Sequence, residues 1–102
     1  MVDNPTYHRQ ARYLLAENAL ESKEYVEAET MATADIGEYK QDEYSLEMKR
    51  IQGEALYAQQ RYLQAAVVLE EYLGEADSPK REVLYQLGMA HYHSGEYLRA
   101  PE

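Results

Sequence analysis

The stretch Leu84-Tyr-Gln-Leu-Gly-Met-Ala-His-Tyr-His-Ser-Gly-Glu-Tyr-Leu-Arg-Ala100 decides the fold. It reads as a helix that stops at Gly95 and a second that opens at Tyr97, with Ala100 three residues further on. A small residue, Gly88, lies nine positions before the tyrosine. Moving toward the N-terminus, the same arrangement recurs. Tyr62 with Ala65 follows Gly53, and Tyr25 with Ala28 follows Ala16, so the tyrosines are spaced by 37 and then 35 residues. Another Tyr-x-x-Ala, Tyr13 with Ala16, falls outside this register, so the shared register identifies the repeat and the pair alone does not. A small residue on a first helix lets a second approach closely, and the alanine of the second helix faces it. The tyrosine opens the second helix and packs over the turn, and a bulky residue at either small position would push the pair apart.

The rest of the chain fits helices. Proline occurs only at 5, 79 and 101, and the stretches between the glycines at 37, 53, 74, 88 and 95 are rich in Ala, Leu, Glu, Lys and Gln, which are strong helix formers. Asn4 before Pro5 and Ser78 before Pro79 place a capping side chain ahead of a first-turn proline. Gly37, Gly74 and Gly95 stand where helical patterns stop, and are expected to close helices in the left-handed conformation. The expected helices are 5–22, 24–36, 41–59, 61–74 and 79–94, with another from near 96. Turns this short force antiparallel neighbours.

On these residues the chain resembles a tetratricopeptide repeat protein, whose unit is about 34 residues of paired antiparallel helices. The stretch 84–100 reproduces that family's Leu-Gly pair, the aromatic after it, the Gly-acidic-Tyr turn and the second-helix alanine. The middle unit keeps Gly53, Ala55, Tyr57, Tyr62, Ala65, Leu69 and Leu73, but has Lys49 and Gln52 where the family prefers Trp and Leu. The first unit keeps Leu15, Ala16, Tyr25 and Ala28, and runs long through Gly37-Glu-Tyr-Lys, where an extended turn is expected. The resemblance implies an all-α fold of antiparallel helix hairpins stacked as a right-handed α-solenoid. Its about two and a half repeats form a single domain over 1–102, with units near 9–44, 45–80 and 81–102, the last truncated. Pro101 inside what the pattern makes a second helix fits a piece of a longer array or a chain completed by oligomerisation.

Composition removes several functions. The chain has 102 residues, 45% of them apolar, with 19 acidic and 10 basic side chains and a formal net charge of −9. That is enough apolar material for one folded unit, and the charge opposes binding to nucleic acid or anionic lipid. Basic residues form no stripe. Without cysteine there is no disulfide, thiolate nucleophile or cysteine-type zinc site. No apolar run reaches the roughly 18 residues of a membrane helix, residues 1–10 do not read as a signal peptide, and no compartment is fixed between cytoplasm and periplasm. Eleven Tyr occur without Phe or Trp, which suits half-exposed helix contacts, since tyrosine buries a ring and keeps its hydroxyl near water.

Nothing converges on catalysis. His91 and His93 point about 200 degrees apart on a helix and cannot share one ion. His8 lacks a triad partner at fixed spacing. The pairs Glu27 with Glu29, Asp42 with Glu43, and Glu70 with Glu71 read as solvated faces, because a glycosidase needs carboxylates that converge across a cleft. No glycine pattern cradles a phosphate. No enzyme activity, cofactor or metal is expected.

The family's groove is lined by first helices and binds peptides or partner helices. Carried over residue by residue, it comprises Tyr13, Glu17 and Leu20, then Arg50, Glu54 and Tyr57, then Tyr85, Met89 and Tyr92. Where some members hold lysine and asparagine to grip a chaperone's C-terminal carboxylate, this chain has Tyr13, Glu17, Arg50 and Ile51, which do not make that clamp. The expected function is a noncatalytic protein–protein interaction scaffold, whose acidic, tyrosine-rich groove takes a basic or apolar segment of a partner protein or peptide. The alternative is a self-associating structural segment, its exposed end burying apolar surface in a homo-oligomer.

Overall fold

Five helices follow from this sequence in a computed structural model that describes residues 5–38 and 43–99. They are α1 (Pro5–Glu21), α2 (Tyr25–Glu38), α3 (Glu43–Ala58), α4 (Tyr62–Glu75) and α5 (Arg81–Arg99). No strand occurs among the described residues. Consecutive helices pack on each other, and α3 also touches α1 and α5. No such backbone proximity joins α2 to α4 or α1 to α5 among the described residues. The result is a two-layer zigzag, with α1, α3 and α5 side by side in one layer and α2 and α4 in the other.

The hairpin turns share one backbone solution. At the end of α1, Lys23 takes φ 66°; its N–H donates to Leu20 O, and Glu24 N–H donates to Ala19 O. At the end of α3, Gln60 takes φ 65°; its N–H donates to Tyr57 O, and Arg61 N–H donates to Leu56 O. This paired closure is the Schellman motif, with one left-handed residue just past the helix. Lys23 and Gln60 are 37 positions apart, the interval that also separates Tyr25 from Tyr62, and those two tyrosines open α2 and α4.

Three expectations need correction. The left-handed closures fall on Lys23 and Gln60 and not on glycine, since no described glycine has positive φ; Gly37 and Gly74 lie inside the last turns of α2 and α4. The motif requires a position rather than a residue type, and a lysine or glutamine there costs about 1–2 kcal/mol that hairpin packing offsets. Secondly, α5 begins at Arg81 rather than Pro79, with Val83 N–H donating to Lys80 O in its first turn, while Val83 is fully buried. Burying Val83 sets the phase of the helix, which leaves Ser78-Pro79 in the connection. Thirdly, α5 runs straight through Ser94-Gly95 to Arg99, so no separate helix starts near 96. The side chain of Tyr97, the position of Ala100, the capping residue Asn4 and the expected long turn at 39–40 lie outside the described residues.

Two apolar clusters hold the layers together, and α3 belongs to both. Ala16, Ala19, Ala28 and Ala32 meet Met48, Ile51 and Ala55, and Leu56, Ala65 and Leu69 meet Tyr72 and Val83. The first cluster consists largely of alanine, so α1, α2 and α3 approach closely. In the second, Gly53 allows the approach. A Cβ there would lie 2.5 Å from Leu69 Cδ2 and 2.8 Å from its Cγ, whereas a Cβ on register-equivalent Gly88 would meet nothing within 4 Å. Among the tyrosines with described side chains, Tyr72 alone is fully buried, and most of the others are half-buried at helix contacts.

The two glycines should therefore respond oppositely to the same change. Gly88→Ala is expected to stabilise the fold by about 0.5–1 kcal/mol through helix propensity. Gly53→Ala should destabilise it by about 1–3 kcal/mol, because Leu69 has to move. Urea unfolding followed by circular dichroism measures both, and equal effects would show that α4 does not seat on Gly53.

Candidate functional site

One layer of the zigzag presents the residues singled out as a groove. At its floor Arg50 reaches from α3 toward α1 with its side chain only 2% exposed. Its Nε donates to Glu47 at 2.9 Å, Nη1 to Glu54 at 2.6 Å, and Nη2 to Glu17 at 2.6 Å and to the Tyr13 hydroxyl at 3.5 Å. Spacing on α3 explains the cluster, since Glu47 and Glu54 stand three residues before and four after Arg50 and so share its face. Burial works against the charge of Arg50, but the hydrogen bonds it donates to Glu54, Glu17 and Glu47 outweigh that and hold its pKa above the usual value. Burial, then the charge of Glu17, pushes the Tyr13 hydroxyl up.

This network revises what Arg50 can do. A guanidinium has five N–H donors in a fixed fork, and here every nitrogen already has an acceptor. Arg50 is therefore a fastener between α1 and α3 rather than a receptor for a ligand carboxylate. Its loss would leave three partly buried carboxylates facing one another.

Beside the Arg50 cluster lies a pocket of about 300 Å³. Glu17, Leu20 and Glu21 line it from α1, Arg50 and Glu54 from α3, Lys80 from just ahead of α5, and Glu82 and Gln86 from α5. It opens where α1 and α5 flank α3 without closing on each other. Gln86 Oε1 is buried and has no hydrogen-bond donor.

An aromatic row continues from the pocket along α5. Tyr85 and Tyr92 are 66% and 59% exposed, and Met89 between them is half-buried. Tyr57 packs inward against the second core cluster and meets Tyr62 edge-on at 5.7 Å. Its hydroxyl is pushed up by burial and then by Tyr85 and Tyr62. Tyr62 stacks on His93 at 4.4 Å, and His93 meets Tyr92 edge-on at 5.4 Å. Of the nine groove residues, Tyr13, Glu17, Arg50 and Glu54 form one bonded cluster and Leu20 lines the adjoining pocket. Tyr85, Met89 and Tyr92 form the row along α5, while Tyr57 is half-buried against the second core cluster.

Several other titratable residues pair elsewhere. His91 Nε2 lies 3.1 Å from Glu70 Oε2 on the opposite side of α5 from His93's stack. Glu71 pairs with Lys49. Glu29, expected on a solvated face, is half-buried and accepts from Arg61 Nη1 and Gln59 Nε2, because the turn after α3 comes down onto α2. His8 is exposed on α1. Asp42 and the Glu43 side chain lie outside the described residues. Among the described residues no three His, Asp or Glu side chains are grouped to hold a metal, and no helix is long and apolar enough to cross a membrane.

A second buried charge cluster was not anticipated. Asp35, fully buried on α2, pairs with Arg9 and accepts from Arg12 Nε at 3.1 Å. Arg9 also donates to Ser45 Oγ at 3.3 Å and lies 5.8 Å from the Tyr44 ring of α3. The signal was present in the spacing: Asp35 continues the buried row Ala28, Ala32 at i+4 and i+7, so an acid stands on the face that must be buried.

The chain matches no protein-family model, no curated protein and no solved structure.

Arg50→Ala is expected to destabilise the protein by about 3–5 kcal/mol, since it leaves buried charge uncompensated. Arg50→Ala with Glu17→Gln and Glu54→Gln should recover a large part of that loss. Urea denaturation at neutral pH reads both, and no recovery in the triple variant would mean that packing, not charge, makes Arg50 matter.

Proposed function

We propose that the chain is a noncatalytic interaction module, a tetratricopeptide-like helical repeat in a right-handed solenoid arrangement that holds a partner protein segment along the α1–α3–α5 layer. The observation that carries this reading is the exposure of Tyr85 and Tyr92 on the layer that also holds the pocket. Large rigid aromatics exposed in a row are uncommon on a surface with no partner, and tyrosine gives contact area at small entropic cost. The repeat reading is supported by the identical turns at Lys23 and Gln60 and by the small residues Ala16 and Gly53 at their seams.

The test is capture from a lysate of the source organism with the parent chain and with Tyr85→Ala, Tyr92→Ala. Both side chains are exposed enough for the variant to keep its helicity by circular dichroism. A protein retained by the parent and lost by the variant is the expected result. Equal retention would move function away from this face.

A second reading has its own observation. The face of α3 at Gly53 is covered by Leu69, while the equivalent face of α5 at Gly88 is bare, with Leu84 exposed beside it and Leu63 and Val67 exposed on α4. Self-association through that end would bury this apolar surface. Sedimentation should then show a concentration-dependent dimer that Leu84→Glu abolishes, and a monomer at high concentration removes the reading.

A further inference from the structure

The Tyr85–Met89–Tyr92 row and the pocket beside it differ in chemistry, and together they specify an occupant. Glu82, Tyr85, Gln86, Met89 and Tyr92 follow one another at helical spacings of three, one, three and three, so they share one face of α5. That face runs from the pocket at its N-terminal end to the exposed aromatic row. A segment lying along it meets carboxylate first and tyrosine next.

Charge then selects among segments. Arg50, the cation at the floor, has each of its nitrogens bonded to a carboxylate, so its single charge is already more than matched. Of the four carboxylates lining the pocket, Glu17 and Glu54 share Arg50 with Glu47. Glu21 and Glu82 form no ion pair among the described residues, and Lys80 is the only other cation of the lining. An acidic segment would be repelled here and an uncharged one would leave the excess carboxylate unmatched. A lysine or arginine places its head among the carboxylates, and its methylene stem lies on Tyr85, where cation–π attraction adds to the contact.

We propose that this face of α5 docks a basic segment of a partner protein, with a lysine or arginine side chain entering the pocket between Glu21 and Glu82 and the neighbouring apolar side chains lying on Tyr85 and Tyr92. The inference rests on the groove reading above and names the chemistry of its partner. Rotation of Gln86 toward the pocket would let its buried Oε1 accept from the entering cation, a bond it lacks in the protein alone.

The test uses three short acetylated, amidated peptides that alternate leucine with lysine, glutamine or glutamate, titrated into the labelled full chain by amide NMR at two salt concentrations. The lysine peptide should shift Leu20, Glu82, Tyr85, Gln86 and Tyr92, and bind about tenfold or more tightly than the glutamine peptide at low salt, with the difference shrinking as salt rises. Glu21→Gln with Glu82→Gln should remove that advantage. Glu24→Gln with Glu27→Gln, which changes net charge equally at the start of α2, should keep it. Equal binding of the lysine and glutamine peptides at the tyrosines would overturn the cation assignment and leave the groove reading standing. Lysine-peptide shifts spread over the acidic face of α2 as strongly as over α5 would overturn it too. If no peptide moves the α5 residues, both this inference and the groove reading fall.

Discussion

Everything in this structure depends on how close α3 can come to its neighbours. On one side it meets α1 and α2 across alanines, and on the other it lies against α4 where Gly53 leaves room for Leu69. Close approach is what a chain with little bulky aliphatic material requires, because dispersion contacts and burial both fall steeply with a gap. It is also what makes the charged clusters possible. Helices held this near bring Arg9 to Asp35 and Arg50 to Glu17, at separations where desolvated charge must be matched or expelled.

The two arginine clusters have different consequences. Arg9, Arg12 and Asp35 join α1 to α2 and, through Ser45 and Tyr44, to α3, with Asp35 wholly enclosed; this cluster is a fastener. The Arg50 cluster is open on one side. One guanidinium shared among Glu17, Glu47 and Glu54 leaves surplus carboxylate, and the pocket between α1 and α5 inherits that surplus. A structural ion-pair network thus sets the sign of the adjacent surface. The tyrosines of α5 make no such network: Tyr85 stands in the register of Arg50 and lies near Tyr57 of α3, but stays 66% exposed.

Local signals for a turn and a close approach do not by themselves produce either one in α5. Gly88 and Gly95 occupy the positions of Gly53 and Gln60 in the register, yet Gly88 faces open space and Gly95 lies within continuous helix. Their local signals equal or exceed those of the second unit. A glycine permits a turn and a close approach, but burial behind it supplies the driving force.

Sequence alone determined the helical class, the openings at Tyr25 and Tyr62, and the seams at Ala16 and Gly53, because each is a local preference or a spacing that repeats along the chain. The resemblance to the tetratricopeptide pattern singled out Tyr85, Met89 and Tyr92 together, and their helical spacing keeps them on one face of α5. Tertiary structure decided the rest. Lys23 and Gln60 take the left-handed position because hairpin packing outweighs their modest backbone cost, which residue type does not reveal. Arg50 is tied across helices because Glu17 comes from α1, and Tyr57 is partly buried because it packs against residues of α4 and α5. Asp35 is buried because Arg9 and Arg12 arrive from α1 to meet it. In each case the deciding partner is distant in sequence, and a charge or ring has no fixed role until the packing of helices settles what stands opposite it.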